Sequence, residues 1–185
     1  MVTPEADRSA QRRVAAVALL TTALAEAVAA VGAGTASGLG WTRLSDALVT
    51  SNITIGLALA LSGWLITHHR PRHPVGWSLL VGGVCWGLTG AGTAVLGWAV
   101  SRGWSGPPWQ VLATVTNGAW TLSLALFIPL ALALLPDGRL PGRRWRWLPV
   151  LLVVTGTTFT ALAVADPLGG MPALVGARAY RLALP

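Results

Sequence analysis

The chain has 185 residues, of which 54% are hydrophobic and only 10% charged, and its mean hydropathy is +0.63. A soluble domain of this length needs a charged surface that such a composition cannot supply, so a water-soluble globular fold is excluded. The formal net charge of +7 is the balance of 13 arginines, with no lysine, against six acids; the arginines sit in short connections between apolar runs, not on one soluble face, which argues against a nucleic-acid partner.

A helix crossing about 30 Å of hydrocarbon needs about 20 mostly apolar residues. Five runs meet that demand, at residues 14–31, 48–67, 75–100, 109–135 and 147–165. They lack strand alternation, and backbone amides cannot stay unpaired in lipid, so the expected fold is an all-α polytopic bundle of about five transmembrane helices. Residues 1–13 form an N-terminal tail, 14–165 the membrane domain, and 166–185 a C-terminal segment.

The first run follows Arg12 and Arg13 and ends among small residues such as Ala27 and Ala29, so it reads either as a signal peptide or as an uncleaved anchor. The apolar stretch continues past Glu26 to Val31, which favours the anchor. Glu26 is the only acid inside an apolar run, and an ionisable group there is a functional-site candidate by default. Thr22, one turn earlier, is expected on its face. A proton- or ligand-sensitive carboxyl group and a hydrogen-bonded structural glutamate both fit the position.

In the second run Asn52-Ile53-Thr54 matches a glycosylation acceptor by chance at the membrane edge. The connection after it crowds His68, His69 and His73 among Arg70, Pro71, Arg72 and Pro74. It has no cysteine or carboxylate, so it reads as a basic turn facing anionic headgroups and not as a metal site.

The third run is bracketed by Trp77 and Trp98, whose separation corresponds to about 31 Å of helix. Tryptophan favours the headgroup region, and Trp41, Trp64, Trp104, Trp109, Trp145 and Trp147 also fall at run boundaries. Trp86 and Trp120 lie deeper and are expected between helices. Gly83, Gly87, Gly90, Ala94 and Gly97 recur at spacings of four and three, forming a seam of small residues that should meet another helix, either in the same chain or in a homodimer. Cys85, the lone cysteine, is a packing residue in this reading. The fourth run carries Asn117 in a polar patch and Pro129, which should disturb the helix.

Sidedness follows from the arginines. Nine of them (Arg8, Arg12, Arg13, Arg70, Arg72, Arg139, Arg143, Arg144 and Arg146) fall in the tail and in the second and fourth connections. Arg43, Arg102, Arg178 and Arg181 fall on the other side. The N-terminus is therefore expected in the cytoplasm and, after five spans, the C-terminus outside. No P-loop, dinucleotide fingerprint, nucleophile elbow or zinc-ligand spacing occurs, so no cofactor and no catalytic residue are expected.

Two connections carry a resemblance. Arg70-Pro71-Arg72-His73-Pro74-Val75-Gly76-Trp77 resembles an Arg-Pro-x-Asn-Pro-hydrophobic-Gly-Trp opening of a span, with His73 in place of asparagine. Pro136-Asp137-Gly138-Arg139-Leu140-Pro141 resembles a Pro-Asp-Gly-Arg-Leu-Pro turn between later spans. Asp166-Pro167-Leu168-Gly169 is similar to an Asn-Pro-Leu-Gly loop. Together they resemble the N-terminal membrane region of polytopic sensor histidine kinases of two-component systems. The resemblance implies a sensory or anchor module without catalysis of its own, since no phosphoacceptor motif or ATP-binding box is present, and it implies a further span and kinase domains beyond Pro185. The implied partners are the bilayer, a second copy, or a kinase or transporter subunit. The competing expectation is a small transport component or membrane scaffold.

Overall fold

A computed structural model describes residues 4–38, 40–104, 106–140 and 142–165. The chain is all-α, with no strand among these residues. Its helices are α1 (Pro4–Ala36), α2 (Trp41–Asp46), α3 (Val49–His69), α4 (Pro74–Ser101), α5 (Pro107–Leu122), α6 (Ile128–Ala133) and α7 (Leu148–Ala165). A wide π turn, Ser123–Phe127, joins α5 to α6, and a 3-10 turn, Arg143–Trp147, leads into α7. Five helical stretches are long and apolar enough to cross a membrane: Arg8–Ala36, Val49–His69, Pro74–Ser101, Pro107–Ala133 and Arg143–Ala165.

These stretches coincide with the five expected runs, and the differences lie at their ends. The helix of the first span begins at Pro4, so much of the expected tail is helical. Proline suits the first helical position, and no glycine or further proline interrupts the sequence until Gly32. The short α2 carries no periodic signal in the sequence, since six residues are too few to show one. The expected disturbance at Pro129 falls in the turn ahead of it. Pro129 has no N–H to offer Ala125, and there the α ladder loosens into the wider pattern of residues 123–127. The last expected motif, Asp166-Pro167-Leu168-Gly169, and the C-terminal segment 166–185 lie outside the described residues, as does Pro141.

The contacts set the helix directions. Ala16, Ala23, Ala60 and Leu80 gather in one core cluster, and Ala30, Leu44, Val49 and Ala94 in another, so α1 runs parallel to α4 and α3 antiparallel to both. Leu96 packs on Ala113 while Ser123 reaches Gly82, so α5 returns antiparallel to α4. Asn117 meets Ala163 and Thr121 meets Thr160, so α7 runs antiparallel to α5. α4 is the hub, touching α1, α3, α5 and α6.

The most extensive helix–helix contact is between α3 and α4, where backbone meets backbone. A Cβ on Gly83 would lie 2.5 Å from the Ala60 backbone nitrogen, and one on Gly56 would lie 2.6 Å from that of Gly87. Gly63 meets the Leu80 backbone in the same way. Lipid gives apolar side chains no reason to prefer a neighbouring helix, so this approach supplies the van der Waals contact that holds the pair. Gly83 and Gly87 of the expected seam face α3 and α1, Gly90 meets Val49 and Ile53 of α3, and Ala94 joins the Ala30 cluster; Gly97 is buried. The seam is thus covered within the chain and has no room for a second copy. The complementary stripe on α3, Gly56, Ala60 and Gly63, has the same spacing of four and three.

Outward faces are apolar and unpaired. Val150, Leu151, Val153, Val154 and Leu162 of α7 are exposed, as are Val14, Val17, Leu24 and Val28 of α1. Exposed apolar area on this scale needs a lipid or protein covering.

The α3–α4 contact makes Gly83→Ala costly, because its methyl would press on backbone that cannot rotate away. The expected loss is about 1–3 kcal/mol in denaturation from micelles or bilayers. Gly32→Ala, where a Cβ meets nothing within 4 Å, should be neutral or stabilising by up to about 1 kcal/mol. Equal effects at the two positions would contradict the close approach.

Candidate functional site

α1 presents Ala16, Ala23, Glu26 and Ala30 as its buried stripe. On that stripe the Glu26 carboxyl reaches into the gap left by the missing side chain of Gly87, and a Cβ there would strike Oε2. Oε2 is buried and has no hydrogen-bond partner. Burying a carboxyl group without a partner costs several kcal/mol in its charged form, so this position is not explained by packing alone. Thr22 is not part of the arrangement. It is exposed, and its hydroxyl donates to the Ala18 carbonyl at 3.0 Å. A four-residue step turns about 40° around the axis, and here that rotation carries Thr22 to the outside.

Asn117 sits on the other side of the hub. Its Nδ2 donates to the Ala163 carbonyl of α7 at 2.7 Å, while its Oδ1 is buried without a partner. It belongs to a polar seam joining α4, α5 and α7. Thr89 donates to the Thr116 carbonyl at 3.1 Å, Ser123 to the Gly82 carbonyl at 2.9 Å, and Thr121 to the Thr160 hydroxyl at 3.1 Å. Thr89 lies two residues beyond Gly87, about 200° around the helix, so Glu26 and the α5 seam that carries Asn117 lie on opposite faces of α4 and form no single site.

Of the deep tryptophans, Trp86 donates its Nε1 to Asn52 Oδ1 at 2.9 Å, and Trp120 packs edge-on to Phe159 at 6.2 Å. The Asn52 side chain thereby ties α3 to α4. The local tripeptide pattern hid this role, which needs a partner 34 residues away.

The two connections that carry the motifs meet at one end of the bundle. The 70–74 turn is held by the His73 amide donating to the Arg70 carbonyl at 2.9 Å and by Trp77 Nε1 donating to the Pro71 carbonyl at 2.9 Å. In the turn after α6, the Gly138 amide donates to the Leu134 carbonyl at 2.7 Å. Gly138 has φ +71°, a left-handed conformation that favours glycine. A Cβ there would also lie 2.9 Å from Pro74 Cδ and 3.2 Å from His73 Nε2. The conformation and the close approach both call for glycine. Pro136, Asp137, Arg139 and Leu140 surround this contact, with Asp137 and Arg139 lining a cleft of about 380 Å³ opposite Arg70 and Arg72. His68 instead stacks on Trp64 at 5.2 Å. No three metal-binding side chains gather among the described residues.

At the opposite end Trp98, Trp104 and Trp109 form a chain of ring contacts at 4.9 and 5.6 Å, with Arg102 lying 5.8 Å from the Trp98 ring centroid. No family model, no curated protein and no solved structure matches the chain.

Asn117→Leu should loosen α7, since it removes the bond to Ala163. Interhelical hydrogen bonds in lipid contribute about 1 kcal/mol. With Cys85→Ser as background, a cysteine pair at Gly118 and Thr160, whose Cβ position and methyl carbon lie 3.3 Å apart, should cross-link readily. Adding Asn117→Leu should slow that reaction severalfold. An unchanged rate would mean that Asn117 does not hold α7.

Proposed function

We propose that this chain is the membrane-embedded sensory and anchor module of a histidine-kinase-type signalling protein and that it carries out no chemical step of its own. The observation that carries the reading is the packing of Gly138 on His73 and Pro74. The two motifs that resemble sensor-kinase membrane regions are distant in sequence, yet they build one structural unit at one end of the bundle.

In this reading the end that holds the unit faces the cytoplasm. Arg70, Arg72, Arg139, Arg143, Arg144 and Arg146 lie there with Arg8, Arg12 and Arg13 at the start of α1, against Arg43 and Arg102 at the other end. α7 then ends outside, and a further span has to precede any ATP-dependent domain. The outer end offers a cavity of about 150 Å³ bordered by Trp41, Leu44, Val49 and Ile53 between α1, α2 and α3. A lipophilic compound or a change in the envelope suits that apolar surface better than a soluble ligand. Such a signal acts only if it binds two arrangements of the bundle unequally. The hydroxyl-bonded α5–α7 unit is the part best able to shift against the glycine-locked α1–α3–α4 unit.

A second reading, a small transport component, is favoured by one observation, the unpartnered buried Glu26 Oε2.

The two readings separate cleanly. The signalling module predicts that the coding sequence beyond Pro185 continues into a dimerisation helix with a phosphoacceptor histidine and an ATP-binding domain, or that in-cell cross-linking captures a separate kinase. Glu26→Gln should then leave ion and solute flux unchanged. A stop codon after Pro185, with no kinase captured, would remove the signalling reading. Flux abolished by Glu26→Gln would establish the transport reading.

A further inference from the structure

The cleft where the two turns meet continues into an apolar slot. The cleft is lined by Arg70, Arg72 and Arg139, with Asp137 the one opposing acid and Pro71 and Pro74 stiffening its wall. The slot, about 310 Å³, has Leu65, Ile66, Val75 and Leu135 as its apolar wall. Arg70 and His73 border both spaces, so the polar and apolar parts adjoin. His73 Nδ1 is buried and has no hydrogen-bond partner, which leaves a ring nitrogen at this junction still to be satisfied.

The geometry points to a binding site for one anionic phospholipid, its phosphate among Arg70, Arg72 and Arg139 and an acyl chain along Leu65, Ile66 and Leu135. Charge complementarity argues for the anion, since three arginines and a single aspartate line the cleft and guanidinium matches phosphate oxygens in pairs. The adjoining slot argues for a lipid over a free phosphate, because its wall is apolar side chains at the end of spanning helices. The backbone that carries the arginines is preformed: the His73–Arg70, Trp77–Pro71 and Gly138–Leu134 bonds set both turns before any ligand arrives. Diffuse attraction of arginines to a charged surface requires none of this. A lipid seated here would bridge the α3–α4 turn to the end of α6, and it would do so whether the chain signals or transports.

Native mass spectrometry of the full chain released from micelles tests the proposal, with phosphatidylglycerol and phosphatidylcholine supplied in equal amounts. One phosphatidylglycerol should be retained at least tenfold over phosphatidylcholine. Arg70→Ala with Arg139→Ala should reduce that retention about tenfold, while Arg143→Ala with Arg144→Ala, which removes the same charge at the same end outside the cleft, should change it less than twofold. Leu65→Trp, which fills the slot, should lower retention of the lipid severalfold. Thermal unfolding without lipid should be alike in all variants. Equal losses in the two arginine pairs, or no preference between the lipids, would overturn the site. Displacement of the lipid by inorganic phosphate at similar concentration would overturn the lipid as its ligand.

Discussion

The bundle depends on backbone touching backbone along α3 and α4. Where Gly56 faces Gly87 and Ala60 faces Gly83, no side chain separates the two helices, and a single methyl has no place to go. In water such a pair would be driven together by apolar burial. In lipid that drive is missing, and the stabilisation has to come from dense contact that only small residues permit. The approach also leaves the hollow beside Gly87 into which the Glu26 carboxyl fits, so the bundle's packing and its most unusual polar group have one origin.

The opposite face of α4 is built on different chemistry. Thr89, Asn117, Thr121 and Ser123 tie α5 to α4 and α7 through hydroxyl and amide bonds to backbone or side-chain oxygen. Individual bonds of this kind are modest and can exchange partners, and the π turn Ser123–Phe127 interrupts the same helix. One side of the hub thus rests on backbone-to-backbone contact, while the other adds interhelical hydrogen bonds to its packing.

Much of this was legible in the sequence because the physics of lipid is one-dimensional: a span needs a run of about 20 apolar residues, and each of the five runs became a helix. The α4 seam was legible for the same reason, since its spacing lies within one helix. What crosses between helices was not. Glu26 and Thr22 share a spacing but not an environment, because the position of α4 decides which side of α1 is buried. The Asn52–Trp86 bond and the Asn117–Ala163 bond join residues far apart in the chain, and neither partner alone shows the other. The meeting of His73 with Gly138 is of this kind too: each turn was readable by itself, and only the fold brings them together.

The most direct test of the glycine-locked hub is solid-state NMR of the chain in bilayers, with glycine labelled at Cα. A cross-peak between Gly56 and Gly87 should appear and should keep its intensity when labelled chain is diluted into an excess of unlabelled chain. Loss of the peak on dilution would place the contact between copies, and its absence from the undiluted sample would contradict the α3–α4 approach altogether.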